Sequence, residues 1–566
     1  MIGTEETTRH EGRLSAATMA YAVAADPQFR VPELPCLVPG LVNVPLDDGL
    51  AFVGSGNRQS SLRGRTATSL IPRLLPALDG TRTVAELAAL HPDVTEATVR
   101  ACVSLLYVSG LLQDGPAGAE VGLIPHEVTD YLGRNLDTTR VNRNRNEACE
   151  RLAQARVLIT GPEALTGRLR AELTASGVDA LEWDGPELSV GVGDLVVAVD
   201  DGNSAEALAE LDEICRRAGI SWLRTAAGER TVEVGPLFNA RHTCCHGCFA
   251  EGWSGPSGTP SPLRVSTWAA LVATEVVHLL SRVGLTPALS GSTVFDLTDW
   301  TQSTAGAYRR PGCPRCLPTG LPAQADGPAV AHVYEQAVAF PPREWLNPKD
   351  HQAHYRPANA ALQRYNKEYR AAPRIALNGG RPGTAPGVTR TDLSALLLRT
   401  AGLRDSGPTA VPGQVSRWSP TGGNLGSVQA YLLALDVDGV APGWYFYQRG
   451  DHSLARIRAL PTADGAAEAV CPVLARQRPA ALIVLTGALG LVAAKYHDFA
   501  YRILCLDAGV ALAQMAAVAG EYGLTARFAD RWDDLALNAA LRLQDSAEPV
   551  TAVAALNRRN DDDPRH

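Results

Sequence analysis

Lysine is nearly missing from this 566-residue chain: Lys349, Lys367 and Lys495 are the only three among 52 basic residues. A solvated charge is served equally by arginine, so the shortage excludes a lysine-rich surface and singles out each lysine that remains. Arginine stays protonated, whereas a buried lysine can lose its proton and do acid or base work. An excess of positive charge is missing too. The net charge of −8 removes any general electrostatic reason to hold nucleic acid or an anionic membrane, leaving only local basic patches. The start, MIGTEETTRHEGR, lacks a basic flank followed by an apolar run, so no signal peptide is expected. The longest helical apolar stretch, residues 268–280, is interrupted by Glu275 and His278. It reads as a buried amphipathic helix, shorter than a membrane span. The expectation is a cytoplasmic protein whose eleven cysteines are reduced or metal-bound. There is no internal repeat and no low-complexity tract.

What is there divides into several parts, as a length prior of about 150 residues per domain requires. Residues 1–28 read as a mobile tail. Residues 29–55 alternate apolar and polar side chains around Asp47-Asp48-Gly49, the pattern of a hairpin or meander. From Leu62 the period becomes helical, through Leu70, Leu74 and Leu78, then residues 84–90, then residues 95–108 closed by Gly110. Strands followed by three short helices describe a winged-helix module over residues 29–120. After an arginine-rich link, residues 156–161 and 194–200 read as buried strands alternating with helices at 165–176 and 204–218, and a further strand follows at 221–224. That alternation predicts a doubly wound parallel sheet within residues 150–320. Residues 318–330, rich in Pro, Gly and Ala, read as a linker. The last unit, residues 331–560, mixes helices (393–400, 507–522) with strands (430–435, 481–486), an α+β pattern.

Two motifs carry chemistry. Cys245-His-Gly-Cys248 and Cys313-Pro-Arg-Cys316 supply four thiolates in two turns, the donor set of a closed tetrahedral zinc site, against the alternatives of a redox pair or free thiols. Cys244 and His246 stand beside it as bystanders. The segment Ile159-Thr-Gly-Pro-Glu-Ala-Leu-Thr-Gly167 occupies the place of a phosphate loop. It keeps only two glycines, loses a donor at Pro162 and adds a negative charge at Glu163, so nucleotide binding is not expected.

The strings CLVPGLVNVPLDDGLAFVGS, LLPALDGTRTVAEL, GPLFNARHTCCHGCF and GCPRC resemble the ThiF-like leader-peptide-binding proteins of thiazole/oxazole-modified microcin biosynthesis. The likeness covers residues 29–320. It implies a PqqD-like winged helix joined to an adenylating-enzyme fold that has lost ATP chemistry but keeps a tetracysteine zinc, Cys245, Cys248, Cys313 and Cys316. It also implies that the leader of a ribosomally made precursor peptide binds as an added strand. A DNA-binding winged helix, using Arg63, Arg65 and Arg73, is the alternative.

In the last unit, Arg417-Trp-Ser419-Pro420-Thr421-Gly422-Gly423-Asn424-Leu425, followed by a strand and then PGWYFYQ, is similar to the SagB-type dehydrogenases of the nitroreductase family, in which this stretch lies along a flavin ring. Glycines there let backbone approach a flat ligand, and Thr421 and Asn424 offer polar contacts. Downstream, Ala494-Lys495-Tyr496 matches the Lys-Tyr pair of the family's azoline dehydrogenases. Two departures stand out. The family's Arg-Arg-Ser phosphate anchor is reduced to Arg381, and the glycines expected later are replaced by Arg527-Phe-Ala-Asp-Arg531-Trp, which moves phosphate anchoring to Arg381, Arg527 or Arg531, or loses it.

Together the resemblances imply a fused leader-binding, FMN-dependent dehydrogenase, with Lys495 and Tyr496 as base and proton relay. It would oxidise the azolines made by a YcaO-type cyclodehydratase to azoles, as a homodimer. The alternatives are a non-catalytic leader-binding scaffold with a decayed flavin site, and an ATP-dependent adenylating enzyme. Lys349 and Lys367 have no assigned role.

Overall fold

A computed structural model describes residues 30–559 except 56–57, 116–123, 184–194, 203–204, 254, 256, 311–312, 317–329, 340–343, 346–360, 378–384, 405–414 and 545–546. The expected N-terminal tail and nearly all of the expected linker lie outside the described residues. So do Arg381 and Lys349. The chain forms two compact units, residues 16–353 and residues 354–566.

The first unit begins with β1 (Pro35–Leu37), β2 (Val42–Leu46), β3 (Gly49–Ser55) and β4 (Arg58–Arg63). The Asp47-Asp48 turn joins β2 to β3 in antiparallel register. Strand β4 corrects the reading that helix begins at Leu62: it pairs with β3, placing Leu62 opposite Leu50. Helices follow at Arg65–Ser69, Ile71–Leu74, Val84–Ala89 and Glu96–Val108. Thr83 and Glu86 form a capping box at the third, and Thr95 caps the fourth. The chain returns as β5 (Leu112–Asp114), antiparallel to β1. Phe52, Leu74, Leu87, Val103 and Leu106 fill the core of this part.

Strands β6 (Arg156–Thr160), β7 (Asp179–Glu182), β8 (Leu195–Asp200), β9 (Ser221–Ala227), β10 (Thr231–Phe238), β11 (Gly291–Asp296) and β12 (Thr301–Gly306) make one sheet of order β12-β11-β10-β9-β8-β6-β7. The expected parallel alternation holds for β7, β6, β8 and β9. The other three strands run antiparallel, so the sheet is mixed and the all-parallel expectation is corrected. The helix containing residues 268–280 runs from Pro262 to Ser281, long and apolar enough to cross a membrane by length and composition. That corrects its expected length. Trp268, Val272 and Val276 are completely buried in the core shared with the sheet, as in a core helix.

The second unit is built on an antiparallel sheet. Strands β13 (Arg374–Ala376), β14 (Val428–Ala434), β15 (Gly443–Gln448), β16 (Ser453–Ala459), β17 (Ala481–Gly487), β18 (Leu524–Phe528) and β19 (Val550–Arg558) lie in the order β13-β16-β15-β14-β17-β19-β18. Central β14 and β17 are buried at every position because both faces are covered. One face packs on the helices Arg390–Ala401 and Ala500–Glu521, and Trp444, Leu482, Leu537 and Val553 fill the other. The long helix starts seven residues before the expected 507. Just ahead of it, Leu489–Tyr496 ends where His497 takes φ +48.

Candidate functional sites in two units

In the first unit the four predicted thiolates converge. Cys245 and Cys248 begin a short helix after β10, and Cys313 and Cys316 follow β12. All four sulfurs lie within 4.8 Å of one another. Cys245 and Cys313 are 3.7 Å apart and Cys248 and Cys316 3.5 Å. A tetrahedral zinc with bonds of about 2.3 Å sets its sulfurs about 3.8 Å apart, so the donor set and spacing fit this ion. The Arg310 amide donates to Cys248 Sγ at 3.3 Å, holding that sulfur as an acceptor. Cys244 and His246 stand outside the cluster. The imidazole packs against Trp222 and Phe238.

At the degenerate loop, Gly161 takes φ +140, and a Cβ there would press on Val199 at 2.7 Å. Nearby, at the carboxyl end of the parallel strands, the fully buried Arg224 donates to Asp200 and Glu233, each at 2.8 Å. Its guanidinium lies over the rings of Phe249 and Trp253. Two carboxylates thus share one cation, and Glu163, which opens the following helix, lies 3.8 Å from Arg170.

In the second unit the stretch 417–426 forms a tight loop entering β14. Gly423 takes φ +59, and Asn424 shares the left-handed conformation at φ +57. A Cβ at Gly423 would sit 2.4 Å from Lys495 Nζ and 2.9 Å from Tyr496 Oη. The amine and the phenol therefore converge on one glycine, from the last turn of the helix Leu489–Tyr496. Burial pulls Lys495 down to about 8, and burial with the nearby Asp507 charge pushes Tyr496 up.

The loop is held from several sides. Gly422 N–H donates to Asp507 Oδ1 at 2.8 Å, and the Ser427 hydroxyl donates to the other oxygen of the same carboxylate. Gly426 N–H donates to Thr421 Oγ1 at 2.9 Å, and Asn424 Nδ2 donates to the Val415 carbonyl at 2.6 Å. Gln363 Nε2 donates to the Gly423 carbonyl at 3.0 Å. Pro420 is exposed, whereas Ser419 is buried. Arg417 donates to the carbonyls of Gln363, Asn424 and Leu425.

Lys495, Tyr496 and residues 421–424 are thus brought together. Arg527 and Arg531 are not brought to them within this unit: Arg527 lies on edge strand β18 and Arg531 just beyond it, and β18 is three positions from β14 in the sheet, about 14 Å at the usual strand spacing. Asp507 was missed in the sequence. Its signal was an acid set between apolar neighbours, Leu506 and Ala508, in the middle of a helix. Lys367 was left without a role, yet its amine donates to Tyr431 Oη at 2.6 Å and Glu548 Oε2 at 2.5 Å, among the rings of Tyr369, Tyr431 and Phe446.

Residues 384–555 match the nitroreductase family model, so the chain carries a nitroreductase-family domain at this end. No curated protein matches the chain. Among solved structures, it is similar to a heterocyclase in complex with substrate and cofactor (18% identity, 50% of this chain and 39% of that one, TM-score 0.40). It is also similar to MccB of Escherichia coli (12%, 51% and 99%, TM-score 0.40) and to the heterocyclase TruD (15%, 75% and 63%, TM-score 0.40). The chain spans about two fifths of the first of these structures.

Proposed function

We propose that this protein oxidises peptide azolines, thiazolines or oxazolines, to azoles in the maturation of a ribosomally made peptide, and that its first unit binds the leader of that peptide. The observation that carries the reading is the convergence of Lys495 Nζ and Tyr496 Oη on Gly423, inside a domain of a family of oxidoreductases. Aromatising an azoline removes hydrogen from two adjacent ring carbons, one as a proton and one as a hydride. FMN, when bound, supplies the hydride acceptor. Gly423 brings bare backbone beside the amine, and a flat ligand lying along the 421–424 loop would meet backbone and short side chains. Lys495, with its affinity for protons lowered by burial, takes the proton at Nζ and Tyr496 relays it outward. Asp507 fixes the loop by accepting from Gly422 and Ser427. Arg381, Arg527 and Arg531 are the candidates for the flavin phosphate, and dioxygen is the terminal oxidant.

Two surfaces support the partners. Strand β2 presents Val42 and Val44, 58% and 42% exposed, apolar side chains beside a strand edge that is unpaired among the described residues and of the kind an extended leader pairs with. The helix Ala500–Glu521 exposes Tyr501, Cys505, Leu506, Gly509, Val510 and Ala513, a largely apolar face that carries the partly exposed Arg502, suited to a second copy of the chain. A YcaO-type cyclodehydratase would supply the azolines.

The test is purified protein incubated with a leader-bearing azoline peptide. The expected results are a yellow protein absorbing at about 450 nm and a mass loss of two hydrogens per ring. A colourless protein that FMN cannot reconstitute would instead establish the scaffold alternative.

A further inference from the structure

Behind the 417–426 loop, two guanidiniums face each other with no carboxylate between them. Arg449, 8% exposed, donates to the carbonyls of Gly426 at 2.9 Å and Val428 at 2.7 Å. Arg417 donates to three carbonyls of its own. A Cβ on Gly426 would lie 2.4 Å from Arg417 Nη1 and 2.5 Å from Arg449 Nη1, so these two nitrogens are separated by no more than the sum of those distances. Glycine at 426 is what lets them approach. Among the described residues, neither arginine has an acidic partner within ion-pair distance. By contrast, the fully buried Arg224 is paired with Asp200 and Glu233, and the half-buried Arg558 with Asp392.

Burial lowers both Arg417 and Arg449 to about 10, and Arg417 adds its repulsion to the second. Both stay charged at neutral pH. Two buried like charges without a counter-charge are strongly unfavourable. The C-terminal end of the helix Arg390–Ala401, at Thr400 and Ala401, brings about half a negative charge, which leaves most of the excess uncompensated.

Beside the pair lies a small, partly open cavity of about 10 Å³, lined by Thr400, Gly402, Arg417, Ser419, Thr421 and Arg449 among others. Three groups around it lack any hydrogen-bond partner: Arg417 Nη1, Ser419 Oγ and Thr400 Oγ1. Ser419 is 5% exposed and Thr400 1%. Each of the three can donate. The volume holds one particle of about the size of a water molecule, so an ion lying wholly within it is monatomic. A water there would turn its own hydrogens toward two cations, whereas a monatomic anion accepts from every donor at once.

We infer that this cavity binds a single halide-sized anion, chloride under cellular conditions, held by Arg417, Arg449, Ser419 and Thr400. The ion neutralises the arginine pair and, through Arg417, ties down the carbonyls of Asn424 and Leu425 beside Lys495. It is a structural ligand of the loop and takes no part in proton transfer.

The test uses the full chain. Crystals grown in bromide should show an anomalous peak between Arg417 and Arg449. Thermal unfolding in sodium chloride or bromide should exceed that in sodium gluconate of equal ionic strength. At a halide concentration about tenfold above the dissociation constant the midpoint should rise by about 3–6 °C. Arg449→Met should abolish the difference. If that variant does not fold, Ser419→Ala should reduce it. No anomalous peak and equal midpoints would overturn the inference in favour of a buried water. A peak without any effect on unfolding would reduce it to an adventitious ion only. A halide effect unchanged in the variants would place the ion elsewhere and overturn it too.

Discussion

If Lys495 is the base, its own titration should be visible in the reaction. Burial holds it at about 8, well below its ordinary value of 10.5. At pH 7 about one tenth of the molecules carry the neutral amine and at pH 9 about nine tenths, so the azoline oxidation rate should rise about tenfold between them and level off above. Lys495→Arg places a group there that stays protonated throughout, and the expected loss is about 10²–10⁴-fold with the pH dependence removed. The assay is single-turnover conversion of a leader-bearing azoline peptide, followed by mass spectrometry. A second readout needs no catalysis. The folded-state value is depressed, so between about 8 and 10.5 the unfolded chain binds more protons at this group than the folded one, and stability rises with pH across that window. Relative to Lys495→Met, the wild type should therefore gain stability as pH rises through it. A flat pH–rate profile, an unimpaired arginine variant, or a stability gap that moves the other way would each refute the lysine's role.

Other expectations follow from the geometry. Cys248→Ala should abolish zinc binding at the four-cysteine cluster, read by elemental mass spectrometry. It should lower the unfolding midpoint of residues 16–353, because binding energy at such a site is folding energy. Gly423→Ala combines a left-handed backbone with a Cβ 2.4 Å from the Lys495 amine. It should lower stability in denaturant titration by about 1–2 kcal/mol and depress oxidation beyond that loss. Val44→Asp, on the exposed edge strand, should weaken leader binding by about tenfold in fluorescence anisotropy while leaving flavin absorbance unchanged.

Legibility in the sequence followed the strength of local signals. The β2–β3 hairpin was readable because a two-residue Asp-Asp turn before glycine interrupts clear alternation. Strand β4 was not, because Arg-Gln-Ser-Ser-Leu-Arg contains a single apolar residue and so shows no alternation. The antiparallel half of the large sheet escaped for the opposite reason. Buried almost throughout, β10 shows no period that would distinguish its direction. At the candidate sites, paired cysteines and the Lys-Tyr dipeptide were visible as strings. Asp507 and Arg449 were not, since their meaning lies in what they face. Asp507 meets a loop amide 85 residues away, and Arg449 becomes unusual only when Arg417 arrives beside it without a carboxylate.

The Lys367–Glu548 pair has a consequence for where this chain can be cut. The two residues are 181 positions apart, joining the segment that enters the second unit to the approach of its last strand. Glu548 lies within the stretch that matches the family, but Lys367 lies ahead of it. A truncation at residue 384 would keep every element of the recognisable domain and strand a nearly buried carboxylate, leaving it the hydroxyls of Tyr431 and Thr486 but no cation. Losing one partner of such a pair costs about 3–5 kcal/mol, a large share of a domain's stability. The smallest fragment able to stand alone therefore starts upstream of the family boundary, and that starting point is set by one of the chain's three lysines.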